Sequence, residues 1–419
     1  MSKKSLLFRG PVKSLSGYGS HSRDLLKSLY DMDLFEIKID SCPWGNTPMN
    51  VLENEQSVFH EWIEENIVTS LTEQPDIYIQ VTVPNEFKRF GKYNIGITAG
   101  IETTAAPKSW VDGCNRMDLV ITTSQFSRDI LLQTVYNETD KVTTKLIKQH
   151  KINVPVEILH EGVDLSIYGK NKSNFKLNIK EDFAYLFVGH WLKGDVGQDR
   201  KDVGMLIKCF CESFNDVKGS PALILKTSSA TFSVKQREHL RNKIQSITEK
   251  YTNPPSIYLL FGQLTDQEMS DLYNHDKIKS MVTITKGEGF GRPLLEFSTT
   301  GKPIIASNWS GHKDFLPMDK GIMIGGSLTN VHESASDDFI MTSSKWFTAN
   351  YDEFTQVLKI VHEKYDEFLE RSENLRLENI EKFSIEQITE NFKSLLEKYI
   401  KEKPKKVDLK IPKLTKLEE

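Results

Sequence analysis

Residues 286–296 read KGEGFGRPLLE and place two glutamates, eight positions apart, among three glycines and a proline. The preceding residues 281–285 (MVTIT) have the β-branched composition of a buried strand. Pro293 suits the first turn of a helix, where its missing N–H is not needed. The stretch therefore predicts a loop between strand and helix, at the carboxyl edge where open parallel sheets bind ligands.

The composition of this loop suits a ligand that carries phosphate. Gly289 and Gly291 allow a sharp turn and close backbone approach, and the free N–H groups of the following helix favour an anion. Glu288 would lie in the loop within reach of a sugar, and Glu296 in the first helical turn, where a carboxylate can accept both ribose hydroxyls. The alternative is that Glu296 only complements the helix dipole and that Glu288 is a solvated acid.

Short apolar runs alternate with amphipathic stretches along the whole chain, which predicts parallel sheets covered by helices on both faces. The predicted strands are residues 5–8, 76–81, 94–98 and 118–122 in the first half and residues 184–188, 222–225, 256–261, 281–285 and 303–307 in the second. A length of 419 residues exceeds one compact core and suits two domains. We therefore expect an α/β protein with two Rossmann-like, doubly wound domains.

Composition also predicts the domain boundaries. Residues 1–168 are expected to form the first domain, the polar run 169–182 (GKNKSNFKLNIKED) a linker, and residues 183–375 the second domain. Residues 376–400 have a helical pattern, and the lysine-rich residues 401–419 are predicted to be a disordered tail.

Charge and cysteine content exclude some classes of protein. The net charge of -4 gives no general affinity for nucleic acid, although a local basic face remains compatible with it. The four cysteines have neither CxxC nor zinc-type spacing, which fits a reducing compartment and no metal site. Since no apolar run approaches the ~18 residues of a membrane span and the start lacks a signal-peptide core, we expect a soluble cytoplasmic protein.

The EGFG…E pattern resembles the donor-site signature of retaining glycosyltransferases of the GT-B fold, a family that includes bacterial lipid mannosyltransferases and sucrose and glycogen synthases. Weaker resemblances follow in the order of the family, at residues 123–131 (TSQFSRDIL), 158–167 (ILHEGVDLSI), 200–210 (RKDVGMLIKCF) and 374–399. The stretches GYGSHSRDLLKSL and NIGITAGIETT also resemble glycosyltransferases of tailed phages, which would place the protein in the host cytoplasm.

The resemblance implies two domains that face a cleft, with the acceptor on the first, a nucleotide-diphosphate sugar on the second, and a C-terminal helix that crosses back to the first domain. It also implies that an arginine and a lysine neutralise the leaving diphosphate. Lys201 matches the lysine, with Arg200 beside it, and Glu288 completes the catalytic set. The arginine position holds His190, a weaker and pH-dependent cation, so Lys193 or Arg200 would supply the charge instead.

The family's glycine loop of the first domain resembles residues 16–29 (SGYGSHSRDLLKSL). The resemblance implies that Gly17 and Gly19 approach the donor through their backbones and that His21 lies on the acceptor or sugar side; the alternative for His21 is a surface position at the helix start. Glu102 stands where the family often has a sugar-binding histidine. On the second domain the implied donor contacts are Gly289, Phe290, Gly291 and Glu296.

The resemblance implies neither a cofactor nor a metal. An Asp-x-Asp triplet at residues 31–33 is the manganese motif of the other glycosyltransferase fold, but here it follows a predicted helix and is expected to end it. Two other functions stay open: a nucleotide-sugar-binding protein without turnover, which His190 would favour, and a nucleotide-sugar epimerase.

The sequence does not specify the acceptor, which could be a glycan, a lipid carrier or a modified DNA base. Two basic stretches bear on this choice, residues 143–151 (TTKLIKQHK) and the lysine-rich tail. They could hold the protein at the periphery of a membrane or contact DNA phosphates, or they could be solvated faces.

Overall fold

The structure is a computed structural model that describes residues 3–54, 57–228 and 232–400. The helices and strands of the first part are β1 (Lys4–Gly10), α1 (Gly17–Met32), β2 (Phe35–Ser41), α2 (Val51–Asn54), α3 (Val58–Asn66), β3 (Ile77–Val81), β4 (Tyr93–Thr98), α4 (Lys108–Cys114), β5 (Leu119–Thr122), α5 (Gln125–Gln133), β6 (Tyr136–Thr139), β7 (Leu146–His150) and β8 (Val156–Ile158).

The first sheet has six parallel strands in the order β2-β1-β3-β4-β5-β8. Its central strands are buried on both faces and rich in isoleucine, leucine and valine, as expected for a sheet covered by helices on both sides. The chain direction across the sheet reverses beside β1, so the loop after β1 opens a crevice at the carboxyl edge. Ser16 ends this loop and caps α1 by accepting a hydrogen bond from the Gly19 N–H at 3.1 Å.

The second part contains β9 (Ala184–His190), α6 (Val203–Phe214), β10 (Ala222–Ser228), α7 (Val234–Thr248), β11 (Ile257–Leu260), α8 (Asp266–Asn274), β12 (Ile278–Thr283), α9 (Arg292–Ser298), β13 (Ile304–Ser307), β14 (Ile322–Ile324), β15 (Gly326–Asn330), β16 (Lys345–Ala349), α10 (Tyr351–Glu363), α11 (Leu369–Lys382) and α12 (Ile385–Tyr399).

The second sheet also has six parallel strands, in the order β11-β10-β9-β12-β13-β14. The winding direction reverses between β9 and β12. The loops that follow these two strands, residues 191–202 and 284–291, therefore emerge side by side at the carboxyl edge. The two sheets and their helices confirm the α/β class and the two Rossmann-like halves expected from the apolar runs.

The C-terminal helix returns to the first half of the chain, as expected. Ile388, Phe392 and Leu396 of α12 are buried in the same core as Leu25 of α1. Each such buried side chain contributes about 1.5–3 kcal/mol to stability. The packing of α12 on α1 thus ties the end of the chain to its beginning.

Two details of the sequence interpretation are settled by the structure. Residues 31–33 end α1: Asp33 has a left-handed backbone, and its N–H donates to the Tyr30 carbonyl, so the triplet is a helix terminus, as expected. The basic residues 143–151 lie in the turn and second strand of a β-hairpin and in the residue that follows it. The predicted tail, residues 401–419, lies outside the described residues.

Candidate active site

The loops after β9 and β12 are fastened to each other by their backbones. The Lys286 N–H donates to the Arg200 carbonyl at 2.8 Å, and the Thr285 hydroxyl reaches the same oxygen at 3.3 Å. This pairing places Lys201 and Glu288, which are far apart in sequence, next to each other at the switch point of the second sheet.

Two cations and two carboxylates meet at this point. The Lys201 ammonium forms an ion pair with Glu288. The Arg200 guanidinium donates to the Gly287 carbonyl at 2.8 Å and lies 3.5 Å from the Glu288 carboxylate and 3.6 Å from that of Glu102. Glu102 comes from the first half of the chain, so this group of charges spans both halves.

The cations determine how Glu288 ionises. Burial by itself would raise the pKa of Glu288, but the charges of Lys201 and Arg200 lower it to about 2. Burial lowers the pKa of Lys201, against the attraction of Glu288, and raises the pKa of Glu102, against the attraction of Arg200. The ionised Glu288 carboxylate therefore neutralises part of the charge of Lys201 and Arg200.

His190 and Lys193 lie at the edge of this group. His190 shares a hydrogen bond of 3.0 Å with the Ser228 hydroxyl, and desolvation together with Lys201 and Arg200 lowers its pKa to about 4. The ring is therefore neutral at pH 7 and supplies no positive charge. Lys193 instead bonds to the Ser336 carbonyl. Of Lys193 and Arg200, the two residues expected to supply the charge that His190 lacks, only Arg200 lies beside Glu288.

Gly287 and Gly289 lie so close to the first half of the chain that no side chain would fit at either position. A Cβ at Gly287 would lie 2.1 Å from the Glu102 carbonyl oxygen, and one at Gly289 would lie 2.1 Å from that of Ala99. The Gly289 carbonyl also accepts a hydrogen bond of 2.6 Å from the Ser124 hydroxyl. The EGFG segment thus packs directly on the β4–α4 and β5–α5 loops.

Gly291 and Phe290 have different structural roles. Gly291 has φ 99°, which favours glycine, at the start of α9. The Phe290 side chain is buried in the core of the second half and packs on Phe315 at 5.0 Å between ring centroids. A donor contact from position 290 would therefore come from its backbone, not its ring.

Glu296 lies in α9 beside an arginine that the sequence interpretation did not single out. The Arg292 Nε donates to Glu296 at 2.8 Å, and the Tyr273 hydroxyl donates to the same carboxylate at 3.2 Å. Arg292 also forms ion pairs with Asp24 of α1 and, at 3.7 Å, with Glu161. One guanidinium thus faces three carboxylates from both halves of the chain, of which Glu161 and Glu296 are buried.

The excess of acids around Arg292 affects their ionisation. Burial raises the pKa of Glu296 to about 7 and that of Glu161 to about 7, in each case against the attraction of Arg292. These two carboxyls therefore exchange protons near neutral pH rather than near the ordinary value of 4.5.

A pH dependence of stability follows for Glu161. Because its folded-state pKa lies above 4.5, its contribution to stability is fully present below about pH 4.5 and is lost as the pH rises through 7. We expect Glu161→Gln, which mimics the protonated acid, to leave the melting temperature nearly unchanged at pH 5. At pH 8 it should add about 1–3 kcal/mol of stability, since one pKa unit corresponds to about 1.4 kcal/mol. Thermal melts at both pH values measure this.

The matched control is Glu390→Gln on the exposed face of α12. This substitution should leave the melting temperature nearly unchanged at both pH 5 and pH 8. If Glu161→Gln were equally neutral at both values, the proposed ionisation of Glu161 would be wrong.

His21, Gly17 and Gly19 at the start of α1 are further candidate site residues from the first half of the chain. His21 is buried rather than on the surface, and neither ring nitrogen has a hydrogen-bond partner among the described residues. Burial, with Arg292 nearby, lowers its pKa to about 3, so the ring is neutral. A Cβ at Gly19 would lie 2.1 Å from the Ser14 carbonyl oxygen, whereas Gly17 faces open space.

A buried ion pair behind the site was not recognised from the sequence. The Lys286 ammonium lies 3.0 Å from the Asp202 carboxylate, and both side chains are almost completely excluded from water. The Tyr351 hydroxyl donates to the same Asp202 oxygen at 2.8 Å. Since Asp202 follows Lys201 and Lys286 precedes Gly287, the pair fixes the loops after β9 and β12 relative to each other. In the sequence, the only sign of this ion pair was that Asp202 and Lys286 are charged residues next to the two motifs.

No protein-family model matches the chain, and no curated protein matches its sequence. Solved structures do resemble it. HepE of Anabaena, solved in complex with UDP and glucose, aligns over 94% of this chain and 100% of its own with 12% identity and a TM-score of 0.59. Sucrose-phosphate synthase of Thermosynechococcus elongatus aligns over 95% and 99% of the two chains with 12% identity and a TM-score of 0.64.

A glycosyltransferase of Rickettsia africae aligns over 96% of this chain and 100% of its own, with 13% identity and a TM-score of 0.60. At such identities the similarity establishes the fold. The chain has the two-domain α/β architecture of these proteins, the GT-B fold.

Two searches of the described residues bear on metals and membranes. Across residues 3–54, 57–228 and 232–400, no group of three or more His, Cys, Asp or Glu side chains is arranged to hold a metal ion. In the same residues no helix has the length and apolarity to cross a bilayer.

Proposed function

We propose that the protein is a retaining glycosyltransferase that moves a sugar from a nucleotide-diphosphate sugar to a hydroxyl of a glycan, a lipid carrier or a modified DNA base. The observation that carries the proposal is the meeting of Lys201, Arg200 and Glu288 at the switch point of the second sheet, with Glu296 eight residues further on α9. Cations at that edge of a parallel sheet suit the phosphates of a nucleotide.

Each residue has a proposed role in the transfer. The diphosphate takes the place of Glu288 at Lys201 and Arg200, and these cations stabilise the charge that develops as the bond between the sugar C1 and the phosphate oxygen breaks. Glu288, released from Lys201, binds sugar hydroxyls, and Glu296 accepts the ribose hydroxyls.

The proposed chemistry is a front-side displacement without a metal or cofactor. The acceptor oxygen forms its bond to C1 on the face that the phosphate leaves, and its proton passes to the leaving phosphate oxygen. His21 and Glu102, from the first half of the chain, lie on the sugar side, and Gly17 leaves room for the donor phosphates. Support for a nucleotide-sugar substrate comes from HepE, whose structure contains UDP and glucose.

A second candidate is a nucleotide-sugar-binding protein without turnover. The observation in its favour is His190, which stands at the usual arginine position and whose pKa is lowered to about 4, so one expected cation is missing. No contact among the described residues favours an epimerase of the same fold.

The first test is binding of nucleotides to the wild type and to Glu296→Ala. We expect melting curves with UDP, GDP, ADP and their common sugar conjugates to show that nucleotides of one base stabilise the wild type. A nucleotide present at ~100 times its Kd should add about 2.7 kcal/mol of stability. Glu296→Ala should weaken binding of that nucleotide about 10–150-fold, because a charged hydrogen bond contributes on the order of 1.5–3 kcal/mol.

Glu390→Ala on α12 is the control and should bind like the wild type. Stabilisation by none of the nucleotides would contradict the donor site. Binding without transfer or hydrolysis of any conjugate would favour the second candidate.

A further inference from the structure

The hairpin of β6 and β7 projects from the first half of the chain between α5 and β8. Its strands pair antiparallel from Tyr136 opposite His150 to Thr139 opposite Leu146, and Ile147 is an extra residue without a partner. Nearly all side chains from 137 to 149 are exposed on both faces of this two-stranded ribbon. An exposed ribbon of this kind gains little stability from packing of its own.

The turn of the hairpin is closed by its own hydrogen bonds. The Asp140 carboxylate accepts from the Val142 N–H at 3.0 Å and from the Thr143 N–H at 2.6 Å. The Thr144 N–H closes the turn on the Asp140 carbonyl at 2.9 Å. The turn therefore holds Val142 outward instead of letting it fold back.

Three aliphatic side chains stand exposed at this tip. Val142 is 90% exposed, Ile147 61% and Leu146 55%. Exposed aliphatic residues occur singly on many surfaces, but three within six residues at the end of a hairpin mark an interaction surface.

Basic residues surround these aliphatic side chains. The hairpin and its exit carry four exposed lysines against two acids, Glu138 and Asp140. Both acids are engaged within the hairpin, Glu138 with His150 at 3.0 Å and Asp140 in the turn. The lysines are Lys141, Lys145, Lys148 and Lys151.

We propose that this hairpin tip docks on an anionic lipid surface, with Val142, Leu146 and Ile147 inserted at the level of the headgroups and the lysines paired with lipid phosphates. Aliphatic insertion combined with flanking lysines is the chemistry of interfacial binding. A nucleic acid fits less well, because the tip offers no arginine or aromatic side chain to bases and its exposed centre is aliphatic.

The base of the hairpin lies close to the contact between the two halves of the chain. The Tyr136 hydroxyl, at the base of the hairpin, donates to the Ala106 carbonyl at 2.7 Å and lies 3.7 Å from the Met341 sulfur of the second half. A lipid-bound tip would thus lie on the first half of the chain, next to its contact with the second half.

Flotation of the full-length protein with vesicles tests the proposal independently of the nucleotide site. At low salt we expect about tenfold more protein to float with vesicles of phosphatidylcholine and phosphatidylglycerol than with phosphatidylcholine alone, since each lysine near an anionic surface contributes measurably to binding. The triple variant V142S/L146S/I147S should lose most of this binding, and K141Q/K145Q/K148Q should lose its dependence on phosphatidylglycerol. All six positions are exposed, so both variants should melt like the wild type.

The matched control is V234S/K235Q, an exposed valine–lysine pair on α7, which should float like the wild type. Absence of flotation, or flotation unchanged in both hairpin variants, would overturn the proposal. A gel shift with duplex DNA that is lost in the lysine variant but kept in the serine variant would also overturn it, in favour of nucleic acid. Nucleotide binding should be the same in all these variants, so this test and that of the donor site fail separately.

Discussion

Replacing Lys201 with methionine is expected to lower turnover by about 10²–10³-fold while the Kd for the nucleotide diphosphate rises much less. The Lys201 ammonium is one of the two cations beside Glu288, and its charge matters most when the leaving diphosphate gains charge in the transition state. Methionine keeps most of the length of the side chain and removes the ammonium with its charge and hydrogen bonds. Release of nucleoside diphosphate from the conjugate selected by the melting curves measures kcat, and calorimetry measures Kd.

The control substitution is made on α6, the helix that begins two residues after Lys201. Lys208→Met on α6 removes an exposed lysine that pairs with Glu212 at 3.5 Å, far from the loop of Glu288. It should leave kcat and Kd unchanged. Equal turnover by wild type and Lys201→Met would refute the role of Lys201, whereas a large rise in Kd with unchanged kcat would assign it to binding alone.

Replacing Asp202 with asparagine should destabilise the protein by about 3–5 kcal/mol, because the buried ammonium of Lys286 would lose its charged partner. Asparagine tolerates the left-handed backbone of this position, where φ is 53°, so the substitution tests charge rather than strain. Urea denaturation followed by circular dichroism measures the free energy of unfolding.

Two further variants show whether the buried charge is responsible. D202N/K286M removes both charges and should be more stable than Asp202→Asn alone, since no unpaired ion then remains in the interior. Glu212→Ala, which breaks the exposed pair with Lys208, should change stability by less than about 1 kcal/mol. A double variant no more stable than the single one would mean that packing around Asp202 matters more than its charge.

The sequence predicted the fold because hydrophobic periodicity and turn residues are local properties. The runs at residues 76–81, 94–98 and 184–188 became β3, β4 and β9, and the glycines and Pro293 correctly placed a loop and the start of α9. β8 was missed, since its three residues carry too little pattern, and the exposed hairpin of β6 and β7 has no core-facing alternation to detect.

The sequence alone predicted that the chain forms two parallel α/β halves, with Glu288 in the loop after a strand and Glu296 in the helix that follows this loop. Only the tertiary structure decided which charges meet. It brought Arg200 rather than Lys193 to Glu288 and set Arg292 among acids from both halves. The physical reason is that strand and helix patterns depend on neighbours in sequence, whereas an ion pair depends on the distance between loops that only the packed sheets bring together.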